Sequence, residues 1–242
     1  MKIAVIADIH ANHAALQAVL IDIKKQEVHE IISLGDNIGY GPDPEQVVNE
    51  LLTNKVISIM GNHEYGLLSD SYFKKLNPSP QKSLLINRKL MSEAGLAYCL
   101  GLPPLLLSHN ARFVHGCPPK SLTSYLYEVS QFKLEKLYTG FKEPICFHGH
   151  THTPTLFEGT VRYDATTLYN APHMIQSNKK YLINPGSVGQ PRDGENNRAK
   201  YLIWDTEKAT ITFLAVKYNV ATTVERLRNL KFPDFNSERL LL

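Results

Sequence analysis

The chain contains 242 residues, 43% of them hydrophobic and 20% charged, and it carries a formal net charge of +3 at pH 7. This balance excludes a disordered chain and predicts one large or two small globular domains. The mild charge and the scattered lysine pairs do not make the basic footprint of a dedicated nucleic-acid binder. No apolar stretch of about 18 residues occurs, so no membrane span is expected.

The cysteines exclude two further kinds of structure. The chain has 3 of them, with no Cys-x-x-Cys spacing among Cys99, Cys117 and Cys146. This pattern argues against a disulfide framework and against a thiolate zinc site. It is typical of a reducing compartment, and the first residues lack the apolar run and cleavage site of a signal peptide, so we expect a cytoplasmic protein.

The N-terminal quarter of the chain alternates between short apolar runs and amphipathic segments. Residues 2–7, 30–34 and 56–60 are apolar runs typical of strands that are covered on both faces. Amphipathic patterns over 14–26 and from Pro44 onwards predict a helix in each interval, and a proline suits the first turn of a helix. Strand, helix, strand, helix, strand predicts right-handed βαβ units and a mostly parallel sheet.

The segment from residue 66 to residue 104 interrupts this alternation. It contains Asn77-Pro78-Ser79-Pro80 followed by a helical pattern over 84–91, and we expect a helical excursion on the same domain. Beyond it the pattern is mainly β, with a helix near 132–137 and a last helix around Leu227. No linker is visible, so we expect residues 1–242 to form a single domain of two sheets with helices outside. The later strands are expected at 105–108, 111–115, 144–148, 155–157, 161–163, 181–183, 201–205 and 210–216.

Residues of the types that bind metals follow several of these apolar runs. Residues two apart in a strand face the same way, and open α/β sheets place their ligands at the carboxyl ends of the strands. We therefore expect these side chains to converge, with Asp36 in the middle as a bridge between two metal ions. Each motif alone is also typical of a turn or a helix cap, but their joint occurrence is not. In chain order the residues are Asp8, His10, Asp36, Asn62, His63, His115, His150 and His152.

The order D-x-H, G-D, G-N-H-[DE], H and G-H-x-H resembles the calcineurin-like metallophosphoesterases. The resemblance implies a four-layer α/β/β/α sandwich with a dinuclear metal centre between the strand ends. It also implies that His63 stays off the metals and acts in catalysis. By this match Asp36 bridges two ions, one held by Asp8, His10 and His152 and the other by Asn62, His115 and His150.

The ligand types limit the choice of metal and of chemistry. Carboxylate, imidazole and amide ligands without thiolate suit two divalent ions, with manganese favoured and iron, nickel, cobalt or zinc as alternatives. Two ions about 3.5–4 Å apart can share a hydroxide with a pKa near 7, which attacks phosphorus in line. His63 would then donate a proton to the leaving oxygen, or it would only orient its neighbours. Glu64 would either orient His63 or be a plain surface acid.

The resemblance runs nearly end to end with a bacterial and archaeal branch of small phosphodiesterase-like members. Residues 35–44 resemble the second motif of that branch, and residues 184–194 resemble its late loop. Some members hydrolyse phosphodiesters or dinucleoside polyphosphates, so a small phosphoester or a nucleotide is the expected substrate. The chain departs from the branch at Ala11, which is usually Gly, and at 116–120, where G-S-P-R-D is usual. The second departure leaves the substrate class open.

Two further residues are candidates for substrate binding. Tyr40, between two glycines, could stack on a base, and Arg192, in a loop rich in Gly and Pro, could clamp a phosphate. The alternatives are a packed loop aromatic and an exposed loop arginine. His148 has no counterpart in the pattern, and we expect a structural role for it.

Two rival functions use the same fold. A phosphomonoesterase, such as a protein phosphatase, is disfavoured because the Asp-Arg that follows the second motif in those enzymes is missing. A non-catalytic scaffold, as in a retromer subunit, is disfavoured because no ligand position is replaced. The sequence leaves the oligomeric state open.

Overall fold

The computed structural model describes residues 1–127, 129–169, 171–194 and 196–241 of the chain. Two six-stranded sheets form its centre. The first contains β1 (Lys2–Ile6), β2 (Glu30–Ser33), β3 (Ile57–Ser58), β9 (His173–Met174), β11 (Ala199–Asp205) and β12 (Thr210–Val216), in the spatial order β3-β2-β1-β11-β12-β9. The second contains β4 (Leu105–Ser108), β5 (Ala111–Val114), β6 (Ile145–Phe147), β7 (Thr155–Glu158), β8 (Val161–Asp164) and β10 (Tyr181–Asn184), in the order β4-β5-β6-β10-β7-β8.

Both sheets mix parallel and antiparallel pairs. β1, β2 and β3 are parallel, as the βαβ pattern predicts, whereas β11 joins β1 in the antiparallel direction. In the second sheet, β6 lies between β5 and β10 and is parallel to both. The residues that follow β1, β2, β5 and β6 are those with metal-binding chemistry, so the sheet topology already groups them at strand ends.

Helices cover the outer faces of the two sheets. Their bounds are α1 (His13–Lys25), α2 (Pro44–Thr53), α3 (Asn62–Leu68), α4 (Asp70–Phe73), α5 (Pro78–Leu90), α6 (Glu93–Leu100), α7 (Gln131–Thr139), α8 (Ala165–Leu168), α9 (Val220–Asn229) and α10 (Asp234–Leu241). The helix expected around 84–91 is part of α5, which begins earlier than predicted, at Pro78, because the missing N–H of a proline costs nothing in a first turn. The sequence reading also missed α10. Within the described ranges, no helix is long and apolar enough to cross a membrane.

Three of the buried hydrophobic clusters among the described residues define the order of layers. Val5 and Phe113 belong to the cluster between the two sheets. Ile6 points to the opposite face of β1 and packs with Leu16 of α1, because alternate side chains of a strand face opposite ways. Leu134 of α7 packs on the outer face of the second sheet. The order of layers is therefore helix, sheet, sheet, helix, which confirms the predicted four-layer α/β/β/α sandwich.

The extended geometry expected for the ligand motifs is wrong. β1 ends at Ile6, and β6 ends at Phe147, before the first histidine of its motif. The motif residues beyond these ends have left-handed backbones, with φ values of 52° at Asp8, 49° at His10, 52° at Asp36, 69° at His150 and 60° at His152. Such a conformation costs about 1–3 kcal/mol for a residue other than glycine, and it concentrates at functional sites. Tight turns after the strands, and not strand alternation, bring the motif side chains together.

Candidate metal centre

Four buried side chains, Asp8, His10, Asp36 and His152, form the group called here the inner cluster. One ligand atom from each lies within 4.8 Å of the others. Nε2 of His10 is 3.0 Å from Nε2 of His152 and 3.7 Å from Oδ2 of Asp36. Nε2 of His152 is 3.6 Å from Oδ1 of Asp8. The first of the two predicted ligand sets therefore converges on one point.

A second group, called here the loop-side cluster, contains Asp36, His115 and His150, with Asn62 beside them. Nε2 of His115 is 3.4 Å from Oδ2 of Asp36, 3.2 Å from Nδ1 of His150 and 3.0 Å from Oδ1 of Asn62. Asp36 belongs to both clusters, which is the geometry that a bridging carboxylate requires. Whether each of these residues ligates an ion stays a prediction.

Backbone carbonyls determine which nitrogen of each imidazole carries the proton. A carbonyl oxygen only accepts hydrogen bonds, so the ring nitrogen facing it donates and the other ring nitrogen presents a lone pair. In three rings the donating atom is Nδ1, and in one it is Nε2. The pairs are Nδ1 of His10 with the Ile38 carbonyl at 3.1 Å, Nδ1 of His115 with Leu34 at 2.9 Å, Nδ1 of His152 with Gln190 at 2.6 Å, and Nε2 of His150 with Thr123 at 3.3 Å.

The inner cluster fits a bound cation. The two Nε2 atoms of His10 and His152, 3.0 Å apart, both present lone pairs, so they cannot hydrogen-bond to one another. Burial holds the pKa of each of these two imidazoles well below its usual range, which keeps both rings neutral. Neutral imidazoles and two carboxylates around one point are a donor set for a divalent metal such as manganese, iron or zinc.

The loop-side cluster also collects positive charge. Burial alone would lower the pKa of His115, but the charges of Asp36 and Asp8 and the hydrogen bonds with Asp36 and the Leu34 carbonyl together outweigh burial and raise that pKa to about 9. Burial alone would likewise raise the pKa of Asp36, yet His115 and His63 hold it well below its usual range. A proton on His115 and a metal ion would use the same lone pair, so the residues fit an ion whose binding releases a proton.

His63 lies beside both clusters without joining either. Its Nε2 is 3.9 Å from Oδ2 of Asp36, and its ring centre is 4.8 Å from those of His10 and Tyr40. Nδ1 of His63 is buried and has no hydrogen-bond partner in the described part of the chain. Burial lowers the pKa of this imidazole. Gly39, at φ 89°, permits the arrangement, because a Cβ there would overlap His63.

Glu64 is neither a surface acid nor a partner of His63. Its side chain is fully buried, and its carboxylate accepts N–H bonds from Asp36 at 3.0 Å, Asn37 at 2.7 Å and Gly61 at 2.8 Å. Among the described residues, no hydrogen bond joins it to His63. Glu64 therefore holds the turn that carries Asp36. In the sequence, the three-residue spacing from Gly61 to Glu64 indicates this role, because a glutamate in the first turn of a helix can accept the backbone N–H of the N-cap residue.

A cleft opens above the two clusters. It has a volume of about 190 Å³, and both residues predicted to bind substrate, Tyr40 and Arg192, line it. Three further lining side chains were not predicted from the sequence. Tyr72 and Lys75 belong to the segment 66–104 that interrupts the alternation of strands and helices. The third is Tyr125, whose ring stacks on that of His150 at 3.7 Å. None of these three followed an apolar run, so no pattern singled them out. The lining also includes Asp36, Tyr40, Asn62, His63, His152 and Arg192.

His148 is buried in the core, in the structural position that we expected. Its Nδ1 lies 3.4 Å from Nδ2 of Asn184. Burial lowers the pKa of this imidazole to about 4. The residue stays outside both clusters although it precedes His150 by only two positions.

A buried nitrogen and oxygen donor set at the strand ends of a four-layer sandwich fits a metal-binding site of a hydrolase. The comparisons with known proteins agree, since the model of the calcineurin-like phosphoesterase superfamily domain matches residues 1–209. The chain belongs to this superfamily and is a phosphoester hydrolase.

Individual relatives match nearly the whole chain. Protein MJ0912 of Methanocaldococcus jannaschii is 34% identical, over 99% of this chain and 97% of that protein. The crystal structure of a metallophosphoesterase from Sphaerobacter thermophilus has a TM-score of 0.85 and 31% identity, and covers 100% of this chain and 98% of that one. Protein PH1004 of Pyrococcus horikoshii OT3, at 21% identity, shares the fold with a TM-score of 0.81 over 99% of this chain and 97% of that one.

Proposed function

We propose that the protein hydrolyses phosphodiesters or nucleotides, dinucleoside polyphosphates among them, with two divalent metal ions. The contact between Nε2 of His10 and Nε2 of His152 carries the proposal, because two lone pairs 3.0 Å apart call for a cation between them. Bound ions supply charge neutralisation at the phosphoryl oxygens and lower the pKa of water. The proposed ligands are Asp8, His10 and His152 for one ion, Asn62, His115 and His150 for the other, and Asp36 for both.

Side chains beside the metal ligands are proposed to bind the substrate and to donate a proton to its leaving oxygen. His63 faces the cleft from outside both clusters, and we assign it the proton donated to the leaving oxygen. The nearby carboxylate of Asp36 supports the protonated form of His63 against the opposing effect of burial. Arg192 and Tyr40 are the proposed contacts for the phosphate and for an attached ring, respectively.

Two finer features belong to the same proposal. Manganese is the favoured metal, because a donor set of carboxylates, imidazoles and an amide has no thiolate that would select a softer ion. A reducing cytoplasm is the proposed location. The free and buried state of Cys99, Cys117 and Cys146 supports this location.

The test measures metal content and substrate range together. Protein purified without added metal is analysed for bound metals, then stripped, reloaded with Mn²⁺ and offered bis-p-nitrophenyl phosphate, p-nitrophenyl phosphate and diadenosine tetraphosphate. We expect two ions per chain and faster hydrolysis of the diester than of the monoester. Loaded protein that leaves all three substrates intact would contradict the proposal, and a preference for the monoester would favour a phosphomonoesterase.

His63→Ala tests the acid role. We expect kcat for a diester with an alkoxide leaving group to fall about 10²–10⁴-fold, because general acid catalysis is lost, while metal content stays at the wild-type level. His109→Ala is the matched control, since His109 pairs with Glu30 in the turn between β4 and β5, away from both clusters. Equal rates for His63→Ala and wild type would remove His63 from the chemistry.

A further inference from the structure

Two arginines from distant parts of the sequence line one small cavity beside the cleft. Arg192 belongs to the loop after β10, and Arg239 belongs to the C-terminal helix α10. Their cavity has a volume of about 190 Å³ and is completed by Pro191, Gly194, Asn196 and Asn197. Arg192 also lines the cleft, together with His63 and His152. A ligand can therefore extend from the metal centre past Arg192 to Arg239.

The hydrogen-bonding capacity of both guanidinium groups is incompletely used. Nε of Arg192 and Nε of Arg239 are each buried, and neither has a hydrogen-bond partner among the described residues. Nη2 of Arg192 donates to Oε1 of Gln190 at 2.8 Å, and the guanidinium group lies over the Tyr40 ring at 5.8 Å. Arg239 lies over the Phe235 ring at 4.8 Å. In the described part of the chain, neither arginine forms an ion pair with a carboxylate.

Asp193, the acid of this loop that lies among the described residues, is paired with a lysine. Oδ1 of Asp193 accepts a bond from Nζ of Lys200 at 2.9 Å, and both side chains are buried. Nζ of Lys200 also donates to the carbonyl of Asn196 at 2.5 Å. These bonds hold the loop against β11 and turn the carboxylate of Asp193 to Lys200, so it does not neutralise the two arginines. Burial lowers the pKa of Arg239, and the neighbouring charge of Arg192 lowers it further, as two unshielded cations require.

The helix that carries Arg239 is held in place by hydrogen bonds of another residue, Asn236. Asn236, one turn earlier in α10, donates from Nδ2 to the carbonyl of Tyr40 at 2.6 Å and to Oγ of Ser83 at 2.9 Å. These bonds fasten the helix to the turn that carries Tyr40 at the rim of the cleft. Two cations held side by side with free donors are a receptor for an anion with several oxygens, because a planar guanidinium matches a phosphate with paired N–H donors.

We propose that Arg192 and Arg239 bind the distal phosphate of a substrate whose scissile phosphate lies at the metal centre. This inference rests on the proposed phosphoesterase function and narrows its substrate. The preferred substrates carry two or more linked phosphates, as dinucleoside polyphosphates do, and simple diesters do not use the second subsite.

The first experiment compares two substrates in two variants. Arg239→Gln is compared with Arg228→Gln, whose arginine is exposed in the last turn of α9. The readout is kcat/KM for diadenosine tetraphosphate divided by kcat/KM for bis-p-nitrophenyl phosphate, both with Mn²⁺-loaded enzyme. We expect this ratio to fall about 10–100-fold in Arg239→Gln, the effect of losing hydrogen bonds to a charged group, and to stay unchanged in Arg228→Gln. An unchanged ratio in Arg239→Gln overturns the proposal, whether both rates are kept or both fall equally.

The second experiment does not require turnover. The metal-free full-length chain is titrated with inorganic pyrophosphate by calorimetry. We expect binding at one site, weakened about 10-fold or more by Arg239→Gln and by Arg192→Gln but not by Arg228→Gln. If the wild type hydrolyses no phosphoester, the proposed function fails while this titration still decides the anion subsite. Absence of pyrophosphate binding, or equal binding by all variants, overturns the proposed anion subsite.

The inhibition pattern separates a substrate phosphate from a free regulatory anion. At constant free Mn²⁺, pyrophosphate should compete with diadenosine tetraphosphate, because both would occupy the space between Arg192 and Arg239. Noncompetitive inhibition would mean that the two arginines bind an independent anion, and the assignment to the substrate would be wrong.

Discussion

The two clusters have similar chemistry but different mechanical support. In the inner cluster, the rings of His10 and His152 are held by the carbonyls of Ile38 and Gln190, which are both buried. In the loop-side cluster, the ring of His150 is held by the carbonyl of Thr123 and by the face of Tyr125, which is 46% exposed. The other ring of this cluster, that of His115, is held by the buried carbonyl of Leu34. Buried carbonyls therefore orient both rings of the inner cluster, whereas a surface loop orients one of the two rings of the loop-side cluster.

The loop that supports His150 is tied internally. The N–H of Cys117 donates to the carbonyl of Ser124 at 2.7 Å, and the N–H of Gly116 donates to that of Ser121 at 2.9 Å. A Cβ at Gly116 would approach the carbonyls of Ser124 and Ser121 to 2.8 and 2.9 Å, so the loop closes on its own backbone. Residues 116–120 depart from the pattern usual in the resembled branch. The other departure, Ala11, lies next to His10 of the inner cluster.

The largest expected effect comes from Asp36→Asn, because Asp36 belongs to both clusters. Loss of its charge should weaken both ions together, by more than the about 10–100-fold typical of residues that only orient a ligand. Metal analysis after dialysis measures this as a fall from two ions towards none. Two retained ions with normal turnover would show that Asp36 is not a bridge.

Asp8→Asn should separate the clusters. Asp8 contributes a carboxylate to the inner cluster, and its two oxygens accept the N–H of His150 at 3.2 and 3.1 Å. An amide keeps the size of the side chain but loses the charge, so the inner ion should be lost while about one ion per chain remains. Titration with Mn²⁺, monitored by the electron paramagnetic resonance signal of the ion, distinguishes the two sites. Equal weakening of both sites would mean that the clusters are not independent.

Tyr125→Leu should weaken only the loop-side ion. Removing the ring stacked on His150 frees that imidazole, and loss of an orienting contact typically costs about 10–100-fold in metal affinity. Tyr125→Phe keeps the stack and should bind metal as the wild type does. Tyr127→Leu is the matched control, because Tyr127 stacks on Tyr125 and has no ring contact with His150. Equal losses in Tyr125→Leu and Tyr127→Leu would assign the effect to the loop as a whole.

The smallest expected effect concerns the outer anchor of the same loop. Arg112 of β5 donates to the carboxylate of Glu143 at 3.0 Å and to the carbonyl of Pro119 at 3.0 Å. Burial alone would raise the pKa of Glu143, but the hydrogen bond and charge of Arg112, together with backbone hydrogen bonds, outweigh burial and lower that pKa. The ion pair therefore stabilises the fold above the unfolded-state pKa of Glu143 and is lost as the pH falls through the folded-state value.

At pH 7, Arg112→Gln should reduce the free energy of unfolding by up to about 1 kcal/mol, the range of an exposed ion pair. The difference from the wild type should shrink on acidification. Thermal unfolding of metal-free protein at pH 7 and at pH 4 measures it. A difference that does not depend on pH would assign the effect to the bond with Pro119.

Much of the site was predictable because its residues stand next to strong signals. Asp8, Asp36 and His115 follow apolar runs that became β1, β2 and β5, and the family pattern supplied their expected roles. The turn geometry was not predictable, since nothing in the letters marks Asp8 or His150 as left-handed. The role of Glu64 needed the position of the Asp36 turn, which lies 28 residues away in the chain.

By itself, the sequence determined that two sheets form one core with helices outside, because hydrophobic periodicity is a local property. Its short motifs are local as well, and through the family resemblance they implied the four-layer order, the superfamily and the set of candidate ligands. The tertiary structure alone decided which nitrogen of each histidine faces the site, which cluster rests on a surface loop, and that Arg192 meets Arg239. These facts depend on contacts between segments far apart in the chain. Such contacts follow from packing of the whole core, which no local pattern records.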